Sequence, residues 1–496
     1  MSSSKSPETV ALLGKGSHGN EGAKGRWWST RRGLDLEEAK HQVFLSLPMI
    51  ICNVSYYSIT LVSVMFAGHL GELELAGAAL ANSWAGVTGF AFMIGLSGAL
   101  ETLCGQDFGA KLYRKLGLHL QASCIISCFF SIIISILWIY TEPIFIWLRQ
   151  DPRISKTAAI YLRNLIPGLF AHGFLQNILR FLQAQSIVMP LVWFSILPMG
   201  THFGVVYGLL NWTGIGLKGA SMAASISLWI LFMSLAMYIA CTKQLKHTWE
   251  GLSSESFRHI LTFLKVALPS AAMHCLEDWA FELLVLLAGL MPNSNISTSL
   301  IAIVNTETIA FMFTCGLSAA ASTRVANELG AENPDKAKTA MAMALKLSTI
   351  LTLAVGLTLA FGHNVWATFF TDSSLIVHQF ASFVPLLVVS VTFDSFQGIL
   401  SAMLNSGLNS MPAAVTRGCG WQHLAVWVNL GTYYFIGIPI ACHLGFVLQL
   451  YDKGLWIGII CGLFCQGIAL LSIILFRPWP KIDPKVESGK KTQVFV

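Results

Sequence analysis

Five acidic residues of this chain stand in apolar company, where an ionised carboxylate is costly: Glu277, Asp278 and Glu282 within CLEDWAFELL (275–284), then Glu307 and Asp394. Such residues mark a pathway. A carboxyl in low dielectric takes up a proton near neutrality, and the change of charge alters both helix packing and affinity for a cationic substrate. On a helix, Asp278 and Glu282 share a face, whereas Glu277 points about 100° away. The triplet is therefore not one cluster. Glu277 with Asp394 is the expected coupling pair and Glu282 its support; Asp278, Glu307 and Asn305 complete the candidate set. The alternative role for each acid is structural, hydrogen bonding to Ser, Thr or backbone to hold helices together. His274 fits a proton relay less well than a packed histidine. Tyr56, Tyr57, Trp84 and Trp279 would suit a cavity for flat organic molecules, although aromatic residues in such segments more often simply pack. The 11 cysteines lie mostly in apolar runs and read as small hydrophobes. No metal-ligand spacing occurs, so neither a metal nor a cofactor is expected, and a proton gradient is the expected energy source.

The elements that must position these acids are membrane helices. Of 496 residues, 54% are hydrophobic and only 11% charged, against about 25% charged in soluble proteins. Mean hydropathy is +0.64. A span needs about 20 mostly apolar residues, and twelve candidates occur, at about 43–66, 75–100, 117–140, 158–182, 187–211, 219–241, 261–290, 297–322, 339–362, 376–403, 421–447 and 454–476. Barrel strands would instead show segments of about ten alternating residues. The sequence thus predicts an all-α polytopic membrane protein. Residues 1–40 read as a disordered cytosolic tail without the apolar stretch of a signal peptide, and 477–496 as a second tail. Basic residues collect on the side of the two tails, which predicts both termini in the cytosol. Two glycosylation sequons, at Asn211 and Asn295, fall in outer loops and agree weakly with that topology. The net charge of +6 needs no nucleic-acid partner to explain it; the expected partners are the lipid bilayer, protons and a small organic substrate, and the chain is expected to be a monomer.

The chain also repeats itself. Pro48 matches Pro269, Ala67-Gly68 matches Ala288-Gly289, GLSGALETLCGQDFGA (95–110) matches GLSAAASTRVANELGA (316–331), and QNIL at 176 matches QGIL at 397, all at a separation of 221 residues. Chance matches would not share one offset. The unit is six spans used twice, giving two six-helix bundles over 41–241 and 261–476 with a cytosolic linker over 242–260. An even number of spans inserts both halves in the same orientation, about an axis along the membrane normal, and two such bundles suit alternating access. Pro48 and Pro269, early in the first span of each bundle, are candidate helix-bend or gating positions. The acids break the repeat: the places matching Glu277, Asp278, Glu282, Glu307 and Asp394 hold Tyr56, Tyr57, Leu61, Gly86 and Gly173. The fold therefore does not require them. Glu101, Asp107, Glu328 and Glu332 sit nearer the cytosolic mouth and read as caps and loop pairings.

ALETLCGQDFGA, CLEDWAFELLVLLAGLMPN, GLSAAASTRVANELGA, FDSFQGIL, RGCGWQHLAVWVNLG and KGLWIGI resemble the multidrug and toxic compound extrusion (MATE) family, in its plant detoxification-type branch, over about 36–478. The resemblance implies two six-helix lobes in a V and export of organic compounds by cation exchange, which in the plant branch means proton antiport. The family's glutamate of the seventh helix and aspartate of the tenth fall on Glu277 and Asp394, and another frequent glutamate falls on Glu282. Two departures stand out. Asp278 occupies a place where the family more often has an aromatic residue, and AMLNSGLNSMPAAV lengthens the junction between spans ten and eleven by about twelve residues. That insertion is either a splice or gene-model variant or a tolerated loop.

The leading expectation is a proton-coupled exporter of small organic, often cationic or aromatic, molecules, in the vacuolar or plasma membrane. A lipid-linked flippase would want a basic cavity for pyrophosphate. A membrane-embedded hydrolase would want a nucleophile or metal ligands beside the acids. Neither requirement is met by these spans, and a receptor would leave the repeat unexplained.

Overall fold

The computed structural model describes residues 36–213, 215–291, 294–368, 374–405 and 422–476. The C-terminal tail, most of the N-terminal tail and residues 406–413 of the insertion lie outside the described residues, as does the side chain of Asn295 in the second sequon. Every regular element among the described residues is helical. The first bundle holds α1 (Leu36–Gly68), α2 (Glu72–Gly109), α3 (Tyr113–Ile139), α4 (Pro152–Ala184), α5 (Met189–Asn211) and α6 (Leu217–Cys241). The second holds α7 (Ile260–Gly289), α8 (Ser294–Gly330), α9 (Pro334–Thr368), α10 (Ser374–Asn405), α11 (His423–Val447) and α12 (Tyr451–Phe476).

All of these except α4 are long and apolar enough to cross a membrane on hydropathy alone. The exception, α4, is 33 residues long and packs against α2, α3 and α6. Its His172, Gln176, Asn177 and Gln183 are buried, so its polar face meets protein and not lipid, which is how a spanning helix tolerates such composition. Asp151 fixes its start, accepting hydrogen bonds from the backbone N–H of Arg153 at 2.8 Å and Ile154 at 3.3 Å, with Pro152 supplying the first-turn geometry.

Two boundaries differ from the sequence reading. Residues 36–40, taken there as the end of the tail, form the first turn of α1, where Glu38 bonds Arg324 of α8. The second and eighth spans run on to Gly109 and Gly330, because their last turns pack on each other between the bundles.

The repeat reappears as packing. In the first bundle α4 touches α2, α3 and α6, while α5 touches α1 and α6; in the second α10 touches α8, α9 and α12, while α11 touches α7 and α12. Between bundles the principal pairs are α1 with α8, α2 with α7, and α2 with α8. Close approach there depends on matched glycines. A Cβ on Gly95 would strike the Ala271 backbone and one on Gly316 the Ile50 backbone; Gly109 similarly abuts Asn327, and Gly330 abuts Gln106. Each pair maps on the other through the 221-residue offset. The interface therefore has local two-fold symmetry, and its tightest part lies at the end where α1 and α7 begin, called here the basic end. Both α1 and α7 continue as helix through Pro48 and Pro269, two residues before the glycine contacts at Ile50 and Ala271.

Candidate functional site

Inside the second bundle, α10 presents a polar stripe. Ser390, Asp394, Gln397 and Ser401 recur at intervals of three and four residues and so share one face. All are buried, Asp394 to 4% exposure. The Gln397 side-chain amide donates to a carboxylate oxygen of Glu277 on α7 and, at 3.1 Å, to Asp394 Oδ1. Its own carbonyl oxygen accepts from Ser401 Oγ at 3.1 Å. Ser390 Oγ donates at 2.7 Å to Glu307 Oε2 on α8, and Glu307 is also only 4% exposed. Ser390 stands one turn from Asp394 on α10 and so carries Glu307 to the same stripe, and Tyr433 of α11 is buried in this bundle as well. Among the described residues, neither the Tyr433 hydroxyl nor Glu307 Oε1 has a hydrogen-bond partner.

Three helices thus bring Glu277, Glu307 and Asp394 together, with Gln397 as the link between two of them. Among the described residues no Lys or Arg forms an ion pair with any of the three. Three negative charges confined together in low dielectric repel one another, and two of them, Glu307 and Asp394, are buried away from water. Such a set is stable only with protons or a cation among them, and that is its chemical capacity.

The other acids of CLEDWAFELL point elsewhere. Asp278 faces His274, one turn back at 3.7 Å, and its side chain keeps 42% exposure. Glu282 accepts a hydrogen bond from Ser83 of α2, in the opposite bundle. Trp279 Nε1 makes a second such link, donating at 2.9 Å to the Val87 carbonyl. That carbonyl lies in the π-helical turn Gly86–Phe90, a local widening of the helix. One face of α7 therefore enters the acid cluster while the adjacent face meets the first bundle. Asn305 is half-buried on α8, two residues and about 200° from Glu307, so it does not share that residue's face.

At the corresponding level of the first bundle the chemistry is neutral. Tyr56 of α1 bonds His172 Nδ1 of α4 at 2.6 Å, and Phe90 packs at a tilt against the same imidazole with ring centroids 4.7 Å apart. Gln176, the repeat partner of Gln397, is also buried, and its neighbour Asn177 donates to Ser127 Oγ at 2.8 Å. Trp84 packs edge-on against Phe145, and Tyr57 is half-buried. Charges nearer the basic end are paired: Glu101 with Arg180 at 2.7 Å, Asp107 with His119 at 3.1 Å, and Glu328 with Arg324. Sequence reasoning missed Gln397, Ser390, Tyr433 and the Tyr56–His172 pair. The spacing of 390, 394, 397 and 401 was the available signal for the first two; nothing local marks Tyr433 or His172.

Comparison with known proteins gives a consistent answer along most of the chain. The MatE family model matches residues 48–208 and 269–442. Protein DETOXIFICATION 18 of Arabidopsis thaliana is 56% identical over 470 residues, covering 94% of this chain and 98% of its own. Protein DETOXIFICATION 16 of the same plant is 39% identical, covering 92% and 93%. The crystal structure of the eukaryotic MATE transporter AtDTX14 superposes with a TM-score of 0.83 at 37% identity, over 90% of this chain and 97% of that one. An outward-facing multidrug resistance MATE family transporter of the MOP superfamily superposes with a TM-score of 0.76 at 20% identity, over 89% of this chain and 97% of that one, a likeness of fold.

Proposed function

The chain belongs to the MATE family, whose members are transporters of multiple drugs and toxic compounds and not enzymes, and from that premise we propose that it exports small organic molecules by proton antiport. The single observation that carries the coupling is the cluster of Glu277, Glu307 and Asp394, which among the described residues has no Lys or Arg partner, in a bundle whose repeat partner has no acid at those places. With the basic end in the cytosol, the two bundles rock about the glycine interface and expose the cluster to either side in turn. Protons entering from the far side neutralise the carboxylates and release a cationic substrate. After the rocking step, proton loss to the cytosol restores the charge that attracts the next one. The partly buried aromatic residues Tyr56, Tyr57 and Trp84 supply apolar surface for flat substrates. The vacuolar and plasma membranes both hold the proton gradient this cycle requires, and one chain suffices for it. An acidic chamber repels the pyrophosphate of a lipid-linked sugar, which counts against a flippase.

Uptake of an organic cation into proteoliposomes under an imposed pH gradient tests the reading. Glu277→Gln and Asp394→Asn should each lower gradient-driven uptake at least about tenfold, since each removes one ionisable member of a coupled set. Uptake that persists unchanged in both, or follows sodium in place of protons, would overturn it. Deleting residues 402–413 in the same assay should leave Asp394 in place, because α10 runs as helix from Ser374 to Asn405 and carries the acid well ahead of the junction.

A further inference from the structure

At the basic end of the first bundle a groove of about 600 Å³ runs between α3, α4, α6 and the 242–260 linker. Cys124 and Ile125 of α3 and Phe232 and Ala236 of α6 line it, together with Trp249 and Phe257 of the linker. The linker is fixed to the bundle through Gln121, which donates to the Gly251 carbonyl at 2.7 Å and accepts from the Ser253 N–H at 2.8 Å. Ile125 lies about 18 Å along α3 from its first residue, and Phe232 about 13 Å along α6 from its last, at 1.5 Å per residue. One leaflet of hydrocarbon is about 15 Å deep. The apolar walls therefore span the depth of a single leaflet.

The linker that contributes Trp249, Leu252 and Phe257 to this lining has a different character. Arg114 engages both acids of the linker, Glu250 at 3.4 Å and Glu255 at 2.9 Å. That leaves Lys243, Lys246 and Arg258 exposed and, among the described residues, beyond ion-pair distance of any carboxylate. Interleaved with them are exposed apolar side chains, Leu252 at 90% and Phe257 at 62%. Cations alternating with exposed apolar groups at the end of spanning helices suit a headgroup region and not open water.

We propose that this groove binds an anionic phospholipid of the leaflet at the basic end, with one acyl chain between α3 and α6 and the headgroup at Lys243, Lys246 and Arg258. The lipid pins the linker, and with it the start of α7, to the first bundle. The inference rests on the membrane-spanning fold and not on proton coupling, so the failure of either is read separately.

The test reconstitutes the full chain into vesicles of phosphatidylcholine and phosphatidylglycerol, re-extracts it in detergent and measures retained lipid by mass spectrometry. Wild type should retain phosphatidylglycerol in preference to phosphatidylcholine. Lys243→Ala, Lys246→Ala and Arg258→Ala should each lower that preference up to about fivefold. Ala236→Trp, which fills the groove, should abolish retention of either lipid; Ala240→Phe is the milder companion if the first variant does not fold. Equal retention of both lipids by wild type overturns the proposal. So does phosphatidylglycerol retention that survives Ala236→Trp and Ala240→Phe, since the lipid then sits elsewhere. Removal of residues 1–35 or 477–496 that raises retention severalfold would also overturn it, by making a chain tail the resident occupant.

Discussion

Gln397 is the residue on which the acid cluster turns. Its amide is the only donor among the described residues that reaches both Glu277 and Asp394, and hydrogen bonds to charged acceptors contribute about 1.5–3 kcal/mol each. Gln397→Leu removes the donor that the two carboxylates share, so the pH profile of uptake should change while the protein still folds. A profile superposable on wild type would show that the bridge is not part of coupling. Asp278 is the contrasting case. Its ion-pair partner is His274, and among the described residues it makes no hydrogen bond to the cluster, so Asp278→Asn should leave gradient-driven uptake within about twofold, the range of a partly exposed ion pair. A loss as large as that of Glu277→Gln would place Asp278 in the pathway after all.

At the scale of elements, α7 separates two tasks by rotation. Residues 273 and 277 look into the second bundle, where the Met273 carbonyl accepts from Asn429 at 3.0 Å. The 279 and 282 positions look towards α2. The Ser83–Glu282 and Trp279–Val87 hydrogen bonds join the bundles away from the basic end, where the glycine contacts are absent. A double-mutant cycle of Ser83→Ala and Glu282→Gln, read as thermal stability, should show coupling of about 1–2 kcal/mol. Additive single effects would mean that the two side chains do not hold the helices together. The π-helical turn of α2 is part of the same arrangement, because it carries the carbonyl that Trp279 binds.

For the whole molecule, closure at the basic end depends on four glycines in two symmetric sets, joined by Arg324 of α8, which holds Glu38 of α1 at 3.2 Å. Gly330→Leu forces a side chain into the Gln106 backbone, and such overpacking costs about 1–3 kcal/mol. The basic end should then open, and a cysteine placed at Gln106 in a cysteine-free background should react with a polar maleimide several times faster; an unchanged rate would mean that the bundles do not part there. Much of this architecture was legible in the sequence. Hydropathy and the 221-residue offset fix the helices, their number and the two-fold relation, because burial in lipid and repetition are written residue by residue. The exclusion of Asp278 from Glu277's face also follows from sequence alone, since helical angle depends only on spacing. Only the tertiary structure decided that Glu307 joins Glu277 and Asp394, that Gln397 links two of them, and that Glu282 serves the other bundle. Those pairings join residues 83 to 199 positions apart in the chain, and which faces of two helices meet is set by the packing of both bundles at once, which no local pattern encodes.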